Sequence, residues 1–208
     1  MMKADKVMIL GNSITRHGPK ADIGWLDDWG MAASALEKDY VHLLLKRFAE
    51  AACGKPPESL VKNIADFERE YATYDISAVF KPLAAFKADI IILTIGENVP
   101  ALDTEKAKIN FHRALTTLLM TLKEGCNPTV FVRSSFWPDA AKDGVMKQVC
   151  TETGGFFVDI SRLSAEESNY ARSERKFANT AVANHPGDKG MRKIADAIWN
   201  AVEGKTVI

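Results

Sequence analysis

The sequence predicts an α/β chain: a three-layer α/β/α sandwich around a central, mostly parallel five-stranded sheet. Three observations predict it. Short apolar runs rich in β-forming residues recur from Lys6 to Ile160. Segments with apolar residues at three- and four-residue spacing lie between them, so strands and helices alternate, the pattern of a parallel sheet covered on both faces. One run, Asp89 to Gly96 (DIIILTIG), is apolar nearly throughout, as a strand buried on both sides should be.

In chain order, the first strand is Lys6–Leu10 (KVMIL), stopped by Gly11. A weaker run, Ser59–Asp66 (SLVKNIAD), follows Pro56-Pro57. Asp89–Gly96 comes next. Thr129–Phe136 (TVFVRSSF) follows the turn pair Asn127-Pro128, and Gly154–Ile160 starts on paired glycines. Helical spacing covers Met31–Ala52, Lys106–Glu124, Asp139–Glu152 and Lys189–Gly204, the last ending on a glycine stop.

The chain has 208 residues, 47% hydrophobic and 26% charged, which suits a single domain over positions 1–208 with a sizeable core. No Pro/Gly/Ser-rich linker divides it. Lys and Arg number 27 against 27 Asp and Glu, so the basic footprint of a nucleic-acid binder is missing. Cys53, Cys126 and Cys150 are far apart and form no CxxC, which argues against a disulfide framework or structural zinc and for free thiols in a reducing compartment. No segment approaches the ~20 apolar residues of a membrane span. The first apolar run begins by Val7 with no leader ahead of it, so a cytoplasmic chain is expected.

In a parallel sheet with helices on both faces, ligands meet the carboxyl ends of the strands. Those ends are Gly11-Asn12-Ser13, Gly96-Glu97-Asn98 and Arg133-Ser134-Ser135, with the loop Asn184–Gly190 just before the last helix. Ser13 sits on the tight turn after the first strand, where a serine can act as a nucleophile if a base and oxyanion donors are in reach. The plainer readings of that turn are a cap, or a phosphate-cradling loop over Gly11–Gly18. Of the four histidines, His42 and His112 fall within helical patterns and His17 suits a surface loop. His185 is held out of helical geometry by Pro186 and returns to the sheet edge. Asn98 offers a side-chain amide at a strand end and Gly30 a backbone N–H; each is otherwise an ordinary turn residue.

Taken jointly, these residues resemble the SGNH (GDSL-type) hydrolase family over almost the full chain. The blocks are Gly11-Asn12-Ser13-Ile14-Thr15, Gly30, Gly96-Glu97-Asn98 and the segment VANH ending at His185. The resemblance implies a flavodoxin-like sandwich, Ser13 as nucleophile and His185 as general base. It also implies an oxyanion hole from the Ser13 and Gly30 N–H groups and the Asn98 amide, with neither cofactor nor metal.

The family's acid three positions before the histidine is Val182 here, Asn12 replaces the common Asp, and Val99 stands where the third block often has Asp. A misheld imidazole costs about 10⁴ in rate. Either a backbone carbonyl near residues 180–183 or a displaced carboxylate must therefore hold His185. Glu97 is the carboxylate favoured by sequence, and Asp188 would have to fold back.

The expected activity is hydrolysis of short-chain acyl esters, O-acetyl groups on carbohydrate included, with Trp25, Trp29 and Trp137 as a stacking wall. Arg16 and Arg133 are candidates to meet an anionic group. Lysophospholipase or thioesterase activity is the alternative within the family, and a non-catalytic flavodoxin-like binder the alternative outside it. The expected partner is a small-molecule or carbohydrate ester, with no nucleic acid and no membrane.

Overall fold

In the computed structural model, which describes residues 4–205, strands β1 (Lys6–Gly11), β2 (Glu58–Asn63), β3 (Ile90–Thr94), β4 (Thr129–Arg133) and β5 (Phe156–Val158) form one sheet in the order β2-β1-β3-β4-β5. Every pairing is parallel, so the sheet is wholly rather than mostly parallel. This is the flavodoxin-like strand order.

Alternation along the strands divides the core. On one face, Met8, Leu10, Ile91, Leu93, Val130 and Val132 pack against α2 (Ala65–Glu70), α3 (Ile76–Ala84), α4 (Glu105–Leu122) and α5 (Ala140–Glu152), through side chains such as Phe67, Phe80, Phe111 and Val149. On the other, Val7, Ile9, Ile90, Ile92 and Phe131 meet α1 (Tyr40–Ala51) and α7 (Asp188–Glu203) through Leu44, Phe48, Ile194 and Ile198. The short α6 (Thr180–Ala183) lies just ahead of His185.

The helix expected from Met31 starts only at Tyr40. Asp39, in extended geometry, caps it by accepting the His42 N–H at 2.7 Å. The apolar residues before Asp39 serve a different purpose: Met31 and Ala32 join Trp25 and Val182 in a small separate cluster. Four strands also end earlier than the apolar runs suggest: β2 at Asn63, β3 at Thr94, β4 at Arg133 and β5 at Val158. The residues beyond them turn into the loops that build the site.

Candidate active site

The strand order reverses at β1, which has β2 on one side and β3 on the other. Chains leaving β1 and β3 diverge there and open a crevice at the carboxyl edge. Ser13 follows β1 and Asn98 follows β3. A cleft of about 260 Å³ at this point is lined by Ser13, His17, Asn63, Ala65, Asp66, Arg69 and Asn98.

The turn that presents Ser13 is held from within. Asn12 is buried, and its carbonyl accepts the N–H groups of Thr15 and Arg16, both at 3.0 Å. Its Oδ1 accepts the Ile14 N–H at 3.2 Å. The N–H groups of Ile14, Thr15 and Arg16 are thereby satisfied inside the loop, which counts against a phosphate cradle built from them. Beneath it, the hydroxyls of Thr15, Tyr40 and Thr94 bond one another at 2.7–2.9 Å and tie the turn to β3. Burial raises the Tyr40 phenol to about 12, so it stays neutral.

Ser13 Oγ lies 2.8 Å from His185 Nε2. The other ring nitrogen, Nδ1, lies 2.8 Å from the carbonyl oxygen of Ala181. A carbonyl can only accept, so Nδ1 carries the hydrogen and Nε2 turns its lone pair toward the serine hydroxyl. His185 is 9% exposed. Burial lowers its pKa below the ordinary 6.5, opposed by the Ala181 bond and by the charge of Glu97, so the ring is neutral at pH 7. Trp137 meets the imidazole edge-on at 5.6 Å.

Glu97 does not hold His185. Its Oε1 accepts from Arg133 Nη1 at 2.8 Å and from the Phe136 N–H at 2.7 Å, and its Oε2 accepts from Asn12 Nδ2 at 2.6 Å. Arg133 and Glu97 are 0% and 4% exposed, a buried ion pair beneath the turn. Gly96 at φ +121° sends its successor inward, and a side chain there would meet Ser135 Oγ at 2.3 Å. The sequence places Glu97 beside Asn98; the backbone sends the two side chains to different partners. Asp188 is equally committed, to Ser34 and Lys38 at the start of α7.

Gly30 also departs from expectation. Its N–H donates to the buried Asp39 carboxylate at 3.0 Å, so it is not free for an oxyanion. Glycine is needed there for space: a Cβ would lie 2.6 Å from the Ile14 carbonyl and 2.9 Å from Asp39 Cβ. The Ser13 N–H, in contrast, has no acceptor among the described residues. Asn98 donates one Nδ2 hydrogen to Glu68 Oε2 at 2.9 Å, and the other remains available.

Of the aromatic and basic residues singled out by sequence, Trp25 is buried and donates to the His17 carbonyl. Arg16 is paired with Asp28 in a bidentate contact at 2.6–2.8 Å, and Arg133 is buried. Sequence reasoning missed Glu68, Asp39, Arg69 and Asn63. Asn63 fell inside the expected run Ser59–Asp66 and ends a strand only in the structure; Glu68 had no signal, being one acid in a charged segment.

Among the described residues no group of three or more His, Cys, Asp or Glu side chains is placed to hold a metal. Among the described residues no helix is long and apolar enough to cross a membrane.

No protein-family model and no curated protein matches the chain. Solved structures do. A GDSL-like lipase from Bacteroides uniformis aligns at 17% identity over 97% of this chain and 96% of its own, TM-score 0.61. The lipase/acylhydrolase from Enterococcus faecalis aligns at 16% identity over 96% of each chain, TM-score 0.59. A carbohydrate esterase of family 3 from Talaromyces cellulolyticus aligns at 17% identity over 98% of this chain and 99% of its own, TM-score 0.57. These likenesses span nearly whole chains: the chain has the fold of the SGNH (GDSL-type) hydrolases.

Proposed function

We propose that the chain is a serine esterase that hydrolyses short-chain acyl esters, O-acetyl groups on carbohydrate among them, with a Ser13–His185 dyad. The observation that carries this reading is the Ser13–His185–Ala181 relay, 2.8 Å at each step. Ser13 Oγ attacks the ester carbonyl while its proton passes to His185 Nε2. The resulting oxyanion faces the Ser13 N–H and the free hydrogen of Asn98 Nδ2. His185 then protonates the departing alkoxide, and water repeats the sequence to release the acid.

The Ala181 carbonyl supplies one of the two services a triad acid provides. It enforces the productive tautomer, whose loss accounts for about 10⁴ in rate where it has been removed. It stabilises the imidazolium less than a carboxylate would. The charge of Glu97 favours the protonated ring from a distance, although Arg133 neutralises much of it.

A small cleft with polar lining suits a short acyl group better than a lipid chain. The carbohydrate esterase among the structural relatives supports a sugar ester, and Trp137, half-buried against His185, is the aromatic side chain we assign to meet a sugar ring. The test is hydrolysis of p-nitrophenyl acetate through octanoate by wild type and Ser13→Ala. The expected result is turnover falling with chain length and abolished in the variant. Turnover that persists in Ser13→Ala, or none in folded wild type, overturns the proposal.

A further inference from the structure

Asn98 is clamped at both ends of its amide. Nδ2 donates to Glu68 Oε2 at 2.9 Å, and Oδ1 accepts from Arg69 Nη2 at a long 3.4 Å. Glu68 does more than hold the side chain. Its Oε1 accepts the backbone N–H of Gly96 at 2.7 Å and of Asn98 at 3.2 Å, and Asn12 Nδ2 at 3.3 Å. It is fully buried, on α2, and fastens the loop after β3 to the turn after β1. Every one of these contacts is a donor aimed at Glu68. Oε1 takes three of these donors and has no lone pair to spare, so a proton on the carboxyl falls to Oε2 and weakens the bond that holds the Asn98 amide.

We propose that Glu68 is the positioning residue of the oxyanion hole: its carboxylate fixes the Asn98 amide so that the second Nδ2 hydrogen serves the cleft, and protonation of Glu68 releases it. This deepens the esterase reading and rests on it for the catalytic consequence. An amide is free to rotate and to exchange its oxygen for its nitrogen. With Glu68 on one side and Arg69 on the other, only one orientation satisfies both ends, and that one leaves an N–H beside Ser13.

The groups that set the charge of Glu68 are identifiable. Burial, first, and the Glu97 charge raise its pKa to about 7, against the donors from Asn98 and Gly96. Glu97 itself is matched by Arg133 from β4, and Arg69 stands on the far side of Asn98. The clamp therefore tightens as pH rises through neutrality.

Two measurements test it. In 15N-labelled protein, the Asn98 side-chain amide signals, identified by their loss in Asn98→Ala, should shift between pH 5.5 and 8.5 with a midpoint near 7. They should do so in wild type and in Ser13→Ala. Flat signals overturn the clamp whether or not the protein is an esterase, and this readout needs no variant of Glu68. In a double-mutant cycle, Glu68→Gln should lower kcat on p-nitrophenyl acetate by about 10–10² with KM little changed, within the limit set by loss of the donor itself. It should change kcat less than about 2-fold in an Asn98→Ala background. An equal loss in both backgrounds, or no loss in either, overturns the proposal. A titrating amide without Ser13-dependent turnover refutes the esterase and leaves the clamp; the reverse refutes the clamp alone.

Discussion

His185 donates its Nδ1 hydrogen to the carbonyl of Ala181, four residues earlier, at 2.8 Å. The last turn before the histidine thus holds the imidazole's orientation and tautomer with backbone, with no acidic side chain at position 182. Val182 is released to pack with Trp25, Met31 and Ala171.

The first prediction separates His185 from Glu97. His185→Ala should reduce kcat by several orders of magnitude. Glu97→Gln should leave kcat within a few-fold of wild type, because its partners are Arg133, Asn12 and the Phe136 N–H. Its effect belongs to stability. Breaking a buried ion pair costs about 3–5 kcal/mol, and about 2–4 °C per kcal/mol for a chain of this size gives a Tm lower by roughly 6–20 °C. Steady-state kinetics below the lowered Tm and a thermal melt check both halves.

The pH dependence follows from the sign of each shift. His185 is lowered below 6.5 by burial, so the base is already neutral at pH 7 and its limb of kcat/KM should have a midpoint under 6.5. Because the unfolded chain holds that proton more tightly, its contribution to stability is complete above 6.5 and lost as pH falls through the folded pKa. Glu68 has the opposite sign. Raised from 4.5 to about 7, it contributes stability that is complete below 4.5 and lost as pH rises through 7. Melts of wild type and Glu68→Gln between pH 4 and 8.5 should differ by that loss.

Asn98 is predicted to act on the transition state. Removing one oxyanion donor costs about 10²–10³ in kcat, so Asn98→Ala should show that loss with KM nearly constant. A rise in KM at unchanged kcat would place the amide in ground-state binding.

A fluorophosphonate should label the folded protein at Ser13, as read by peptide mapping. The label should be slowed in His185→Ala, which removes the base 2.8 Å from the hydroxyl. Label on Ser134 or Ser135 would contradict the assignment; both are buried, and Ser134 Oγ already accepts the Ile160 N–H at 2.9 Å.

Gly30 should matter for packing rather than for the oxyanion. A Cβ 2.6 Å from the Ile14 carbonyl strains the segment behind Ser13, at a cost of about 1–3 kcal/mol typical of overpacking. Gly30→Ala should therefore lower Tm. A variant with unchanged Tm and a kcat loss of 10² or more would restore Gly30 as a donor.

What the sequence by itself determined is the architecture and the address of the site. Apolar runs of strand length, separated by amphipathic helices, leave few arrangements besides a covered parallel sheet. The carboxyl ends of β1 and β3 then bring Ser13 and Asn98 to one crevice. Pro186 and the last helix bring His185 to the same edge. The tertiary structure alone decided how these groups are held. Val182 in place of an acid left a carbonyl near residues 180–183 as one of two candidates, but every residue carries a carbonyl, so nothing in the letters singles out Ala181 as the acceptor for His185. Glu97 and Asn98 are adjacent in sequence, but the left-handed Gly96 before them starts a turn that sends one side chain to Arg133 and the other to Glu68. Gly30 is a free N–H on paper and is bonded to Asp39 in space. Hydrogen-bond partners buried together are chosen by where the loops converge, and that is settled only when the whole core has packed.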